Sequence, residues 1–283
     1  MNQGIKTLVL LLLSSAWAIA LFAIYKGKTA YEKLAPISLP SINWEQLQHE
    51  PNRDEIVKGK KLLEKTYEML PDKVGAKISC TNCHLNAGTK ANAGPWIGII
   101  HRFPQYRDRS GKYDTLTDRI NDCFERSLNG QRLPEDDPNL KAILAYMEWL
   151  SRPVLPHQKL KGIGMPRLAL NREPNWERGK EWYMQKCASC HQKDGQGLID
   201  PSTQSYRFPP LWGPNSFNIG AGMARLHTAA GFIKHNMPQG QEGTLSDDEA
   251  FDIAYFFSHQ ERPDFAKKHL DWPKGNKPKD ARY

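Results

Sequence analysis

The sequence contains no zinc-ligand pattern and no basic helical stretch, and charges of both signs are mixed along it; this excludes a nucleic-acid partner. No signalling domain follows the motifs described below. The excess of positive charge is modest, 39 Lys and Arg against 31 Asp and Glu, for a formal net charge of +8. Such a field suits small anions or an acidic partner. With 39% hydrophobic and 10% aromatic residues, the 283 residues can build real cores in one or two domains.

Charge is almost absent near the start. Lys6 is the only charge before Lys26, and residues 7–25 are an uncharged run of 19. A secretory apolar region spans roughly 7–15 residues and a membrane span about 20. The length therefore favours an uncleaved anchor, with membrane association through residues 7–25. Ala16, Ala18 and Ala20 leave signal cleavage open. Residues 1–28 thus read as a signal peptide or N-terminal membrane anchor, and either way the body is exported to the periplasmic side. Lys6 favours an N-in orientation, partly offset by Lys26 and Lys28.

Cysteine is scarce: there are five. Four form two identical devices, Cys80-Thr81-Asn82-Cys83-His84 and Cys187-Ala188-Ser189-Cys190-His191. C-x-x-C-H is the pattern for covalent attachment of a c-type haem, a step that takes place outside the bacterial cytoplasm. Two covalently bound haem c groups are expected, with thioethers from Cys80, Cys83, Cys187 and Cys190 and proximal nitrogens from His84 and His191.

Each motif sits in a similar frame. After a connector (29–51, with Pro36 and Pro40) draped over the first domain, helical periodicity runs from about Asp54 to Met69, and Pro71 and Gly75 end it. Past the first motif come a Gly/Pro-rich loop, the basic-aromatic run His101–Arg109, and a helix over 115–128 with Thr117 as N-cap candidate. A helix over 138–151 closes the domain. Residues 153–174 form a Pro/Gly-rich linker. The second domain repeats the plan, with a helix over 175–185 leading into the motif. A short helix over 221–235 runs to Met237-Pro238, and a last helix is capped by the Ser246–Glu249 box. The closing helices rhyme, Ala145-Tyr146-Met147 against Ala254-Tyr255-Phe256. The tail after Arg262 reads as basic and extended. The expected fold is all-α, with two cytochrome c-like haem domains in tandem, 52–152 and 175–283.

In this plan the distal ligand precedes the closing helix. The second domain offers Met237, 46 residues after His191, with His235 and Lys234 as alternatives. Met165 precedes a proline but lies beyond the first closing helix. The first domain lacks a methionine at the matching place and has Cys123, 39 residues after His84. Cys123 is either an inert buried thiol or the distal ligand of the first haem, where thiolate lowers the potential relative to methionine. Arg119, Cys123 and Ser127 are spaced i, i+4, i+8 and share one helix face. A cation beside a thiol favours thiolate, and Arg126 and Arg109 could join it.

The stretches Phe103-Pro104-Gln105-Tyr106-Arg107, Asn121 to Gly130, Phe208 to Gly213, Ser216 to Met223 and Lys234 to Pro238 resemble the dihaem thiosulfate dehydrogenases, which form tetrathionate and in some members reduce it. The resemblance covers residues 52–262. It implies an active-site first haem with His84/Cys123 ligation, substrate held by Arg109, Arg119 and Ser127, and Met237 on the second haem. It also implies thiosulfate and tetrathionate as substrates, with electrons passing through the second haem to an external carrier such as a cytochrome c. Some relatives carry a lysine directly before that methionine and exchange ligands on reduction. Here the position is Asn236, so no such exchange is expected unless Lys234 reaches in. The rival readings are a non-enzymatic dihaem electron carrier, which predicts methionine on both irons, and a subunit of a complex that loads a carrier protein.

Overall fold

The structure, a computed structural model, describes residue 17, residues 35–202 and residues 204–283. The expected anchor over residues 7–25 falls outside the described residues apart from Trp17. Among the described residues no helix is long and apolar enough to cross a membrane.

Six longer helices carry the fold: α1 (Arg53–Glu64), α2 (Leu116–Arg126), α3 (Pro138–Ser151), α4 (Trp176–Lys186), α5 (Leu226–Asn236) and α6 (Asp247–Ser258). Two small antiparallel pairs sit in the loops, β1 (Gln105–Arg107) with β2 (Lys112–Asp114) and β3 (Leu198–Ile199) with β4 (Tyr206–Phe208).

The sequence sets these helices locally. The Asp137 carboxylate accepts the Asn139 N–H ahead of a proline at the first turn of α3. Asn175 caps α4, and Ser246 with Glu249 closes the box on α6. The cap of α2 is Thr115, not Thr117, because Thr115 and Asp118 exchange bonds reciprocally. That helix also ends at Arg126, short of Leu128. Asn129 takes a left-handed φ of 47° and the Gly130 N–H returns to the Phe124 carbonyl at 2.8 Å.

In each domain the first helix crosses the closing helix at a glycine. A Cβ on Gly59 of α1 would stand 1.9 Å from the Ala142 carbonyl oxygen of α3. One on Gly179 of α4 would stand 2.1 Å from the Asp252 carbonyl oxygen of α6. The backbones touch, and only glycine leaves room. These crossings also correct the register of the repeat. Tyr146 flanks the first and Phe256 the second, so Tyr146 corresponds to Phe256 and not to Tyr255.

The connector lies on the first domain and the linker: Leu47 is buried, Trp44 packs on Trp149, and Ile37 bridges to Leu160 of the linker. The tail is not simply extended. Phe265 and Trp272 are buried, and Asp271 takes both Arg126 nitrogens at 2.8 and 2.9 Å. Asp280 is held by Arg225 and Arg167. Counter-charges far away in sequence decide its path. Apolar residues of both domains join one contiguous core.

Candidate active site

In the first domain, Cys80, Cys83 and His84 line a cavity of about 480 Å³. The His84 Nδ1 donates to the Gly94 carbonyl at 2.6 Å, which leaves Nε2 free to ligate. Burial pushes His84 down to about 4, so the ring is neutral at pH 7. Burial likewise pushes the Cys80 and Cys83 thiols up to about 12, and neither is in a disulfide. A neutral histidine, two unpaired thiols and walls of Leu63, Trp96, Ile99 and Phe124 fit a covalently held haem.

α2 supplies a further part of the lining. Arg119, Cys123 and Ser127 all line the cavity, as their spacing requires. Arg119 Nη1 donates to the Cys123 sulfur at 3.0 Å. The sulfur draws the Arg119 pKa above the ordinary guanidinium range, outweighing burial. Arg102 and Arg107 line the same cavity. Burial lowers both, and Arg119 adds to it. No aspartate or glutamate is among the lining residues. The lining is therefore cationic, with Asp122 and Asp114 acting on Arg119 and Arg107 from outside it, and suits anions.

The second cavity, about 160 Å³, is lined by Cys187, Cys190, His191 and Met237. His191 Nδ1 donates to the Pro209 carbonyl at 3.0 Å, again freeing Nε2, and burial lowers its pKa. His235 is exposed, and Lys234 is spent on the Leu245 carbonyl at 2.6 Å and on Asp247. Neither alternative to Met237 faces this cavity. Asn236 is buried, with its amide on the Asn92 and Phe232 carbonyls. Met165 lines the first cavity beside Gly94 and His84, on the proximal side. Cys83, Ile78 and Met223 line both cavities.

Residues 68–154 match the domain family described as SoxA/TsdA, cytochrome c domain, and residues 174–257 match that of cytochrome C oxidase, cbb3-type, subunit III. The chain is 50% identical over 216 residues to the thiosulfate dehydrogenase of Allochromatium vinosum, covering 75% of this chain and 80% of that protein. The chain belongs to the thiosulfate dehydrogenase family. The thiosulfate dehydrogenase of Psychrobacter arcticus is 44% identical over 225 residues, covering 80% of this chain and 68% of that one. Among solved structures, the as-isolated thiosulfate dehydrogenase (TsdBA) from Marichromatium purpuratum superposes with a TM-score of 0.75 at 33% identity over 81% of this chain. This chain spans half the length of that one. The fold is thus two cytochrome c domains, which imply covalently bound haem c.

Within this family frame, the structure gathers most of the expected residues and displaces two. Arg109 is absent from the cavity lining. It donates to the Gly220 carbonyl, lies 5.0 Å over the Trp272 ring and stands 3.7 Å from Asp271. Arg126 is likewise spent on Asp271. Besides Arg119, the arginines that line the cavity are Arg102 and Arg107. The basic-aromatic run His101–Arg109 was the signal for these two, but sequence alone does not say which arginines of that run turn inward.

Proposed function

We propose that this chain is a dihaem enzyme that couples two thiosulfate anions into tetrathionate, with the reverse reduction open to the same site. Electrons leave to an external one-electron carrier such as a cytochrome c, on the periplasmic side. The observation that carries this reading is the acid-free arginine wall on which Arg119 holds the Cys123 sulfur at 3.0 Å. The relatives' shared designation as thiosulfate dehydrogenases supports it.

His84 and Cys123 would hold the first haem iron, and His191 and Met237 the second. When bound, the two haems supply one-electron redox chemistry, and two such centres match a two-electron reaction. The chain's own residues do the rest. Bringing two dianions together costs on the order of several kcal/mol at an effective dielectric of ~20, and the cavity's guanidinium groups offset that. Ser127 adds a hydroxyl to the Arg119–Cys123 face. Arg109 acts from behind as a positioning residue: it holds Gly220, two and three residues ahead of Gly222 and Met223, which line the cavity.

The test is a steady-state assay of purified protein with thiosulfate plus an oxidant, and with tetrathionate plus a reductant. Turnover is expected, and its absence in both directions would refute the reading. A plain electron carrier leaves both the Cys123 contact and the arginine wall without a task.

A further inference from the structure

The guanidinium groups around the first cavity differ in what they are already doing. Arg119 is committed to the Cys123 sulfur at 3.0 Å. Arg102 donates Nη2 to the Pro95 carbonyl at 3.0 Å, next to the Gly94 carbonyl that receives His84. Its Nε is buried and unpartnered on that proximal side, a position suited to a haem carboxylate. Arg126 and Arg109 face Asp271 and the tail. The Arg107 guanidinium has no hydrogen bond or ion pair among the described residues, and only its backbone is engaged, in the β1–β2 turn. Arg107 ends β1, is half-buried and lines the cavity; burial and Arg119 disfavour its charge, and Asp122, Asp114 and Cys123 partly offset them.

Arg119 is already balanced by the Cys123 sulfur, Asp122 and Asp114, whereas burial and Arg119 disfavour the Arg107 charge, so an anion in the cavity beside Arg107 relieves it. The planar fork of donors on Arg107 matches the oxygens of a sulfonate-type group. We propose that Arg107 is the substrate-binding arginine of this site, gripping the oxygen end of thiosulfate so that its outer sulfur faces Cys123. This rests on the thiosulfate reading above. It divides the labour on the wall, with Arg119 on the protein's sulfur and Arg107 on the substrate's oxygens. The arginines that the family resemblance implies for substrate are Arg109 and Arg119, not this one.

The test compares wild type, Arg107→Gln and Arg107→Lys as haem-loaded enzymes at fixed ionic strength. Arg107→Gln is expected to raise the thiosulfate KM by about 10- to 100-fold, the scale of a lost charge-assisted hydrogen bond. The Soret spectrum and midpoint potential of the first haem should stay as in wild type. Arg107→Lys should recover part of the loss, since it restores charge but not the fork. An unchanged KM in Arg107→Gln overturns the proposal. So does a shifted first-haem potential with unchanged KM, which would give Arg107 to a haem carboxylate. Failure of the thiosulfate reading shows separately, as a wild type without turnover. In that case thiosulfate titrations followed by haem absorbance decide: weaker binding by Arg107→Gln than by wild type supports an anion site at Arg107, and equal binding removes it.

Discussion

At Cys123 the proposed ligation and the proposed chemistry meet in one side chain. Its sulfur faces the cavity that holds His84, and it accepts a hydrogen bond from Arg119 on the preceding turn. Replacing it tests both proposed roles. Cys123→Met is expected to keep both haems, lose the low-spin thiolate signals of the oxidised protein, and lower turnover by roughly 100-fold or more, the scale on which removing one preorganised group registers. Electron paramagnetic resonance and the thiosulfate assay on the same sample check this, and full activity with both haems retained would sink the assignment. The residue count in the sequence singled out Cys123, and helical spacing put Arg119 and Ser127 beside it. Arg102 and Arg107 were not legible in the same way. They lie on a loop and a two-strand turn, where no period tells which side chains face inward.

The helix crossings repay attention at the scale of elements. Gly59 and Gly179 let paired backbones touch. Gly59→Ala or Gly179→Ala forces the helices apart and is expected to cost roughly 1–3 kcal/mol, as overpacking does, read as a lowered Tm. Thr115→Ala removes one arm of the box on α2 and is expected to cost about 1 kcal/mol. Because α2 carries Cys123, this variant should also raise hydrogen exchange at the start of that helix. Capping chemistry made Ser246 readable from sequence. It misled at Thr117, since two threonines two residues apart compete and only Thr115 has an acid at the third helical position. The rhyme of the closing helices was read one residue out of register, because apolar similarity tolerates a slip that a backbone contact does not.

For the whole molecule, the tail is the strap. Asp271 ties it to Arg126 of α2, and Asp280 ties it to Arg225 ahead of α5 and to Arg167 of the linker. Sequence reading missed this because Asp271 lies 145 positions from Arg126, too far for any local pattern. Burial would raise the Asp280 carboxyl, but Arg225 and Arg167 win and hold it below its ordinary value of 3.8. Its contribution is therefore complete above about pH 4 and is lost as the pH falls through the lowered folded value. Asp280→Asn should remove that pH dependence and expose the linker to protease at neutral pH, measured by limited proteolysis. Retention of wild-type resistance would show that the strap does not hold the domains.

The two domains are not equal in length between crossing and motif. From Gly59 to Cys80 the chain runs 21 positions, from Gly179 to Cys187 only 8. The longer stretch contains Lys77, whose N–H meets the Asn215 carbonyl, and Ile78, which walls both cavities. The second cavity is thus finished by residues of the first domain, among them Ile78, Thr81, Cys83 and Leu85. A consequence follows for anyone who would treat the domains as interchangeable cassettes. Excising the second one opens its cofactor chamber to water on that side, and grafting in a foreign single-haem module leaves the same gap unless the first domain's long stretch is redesigned with it.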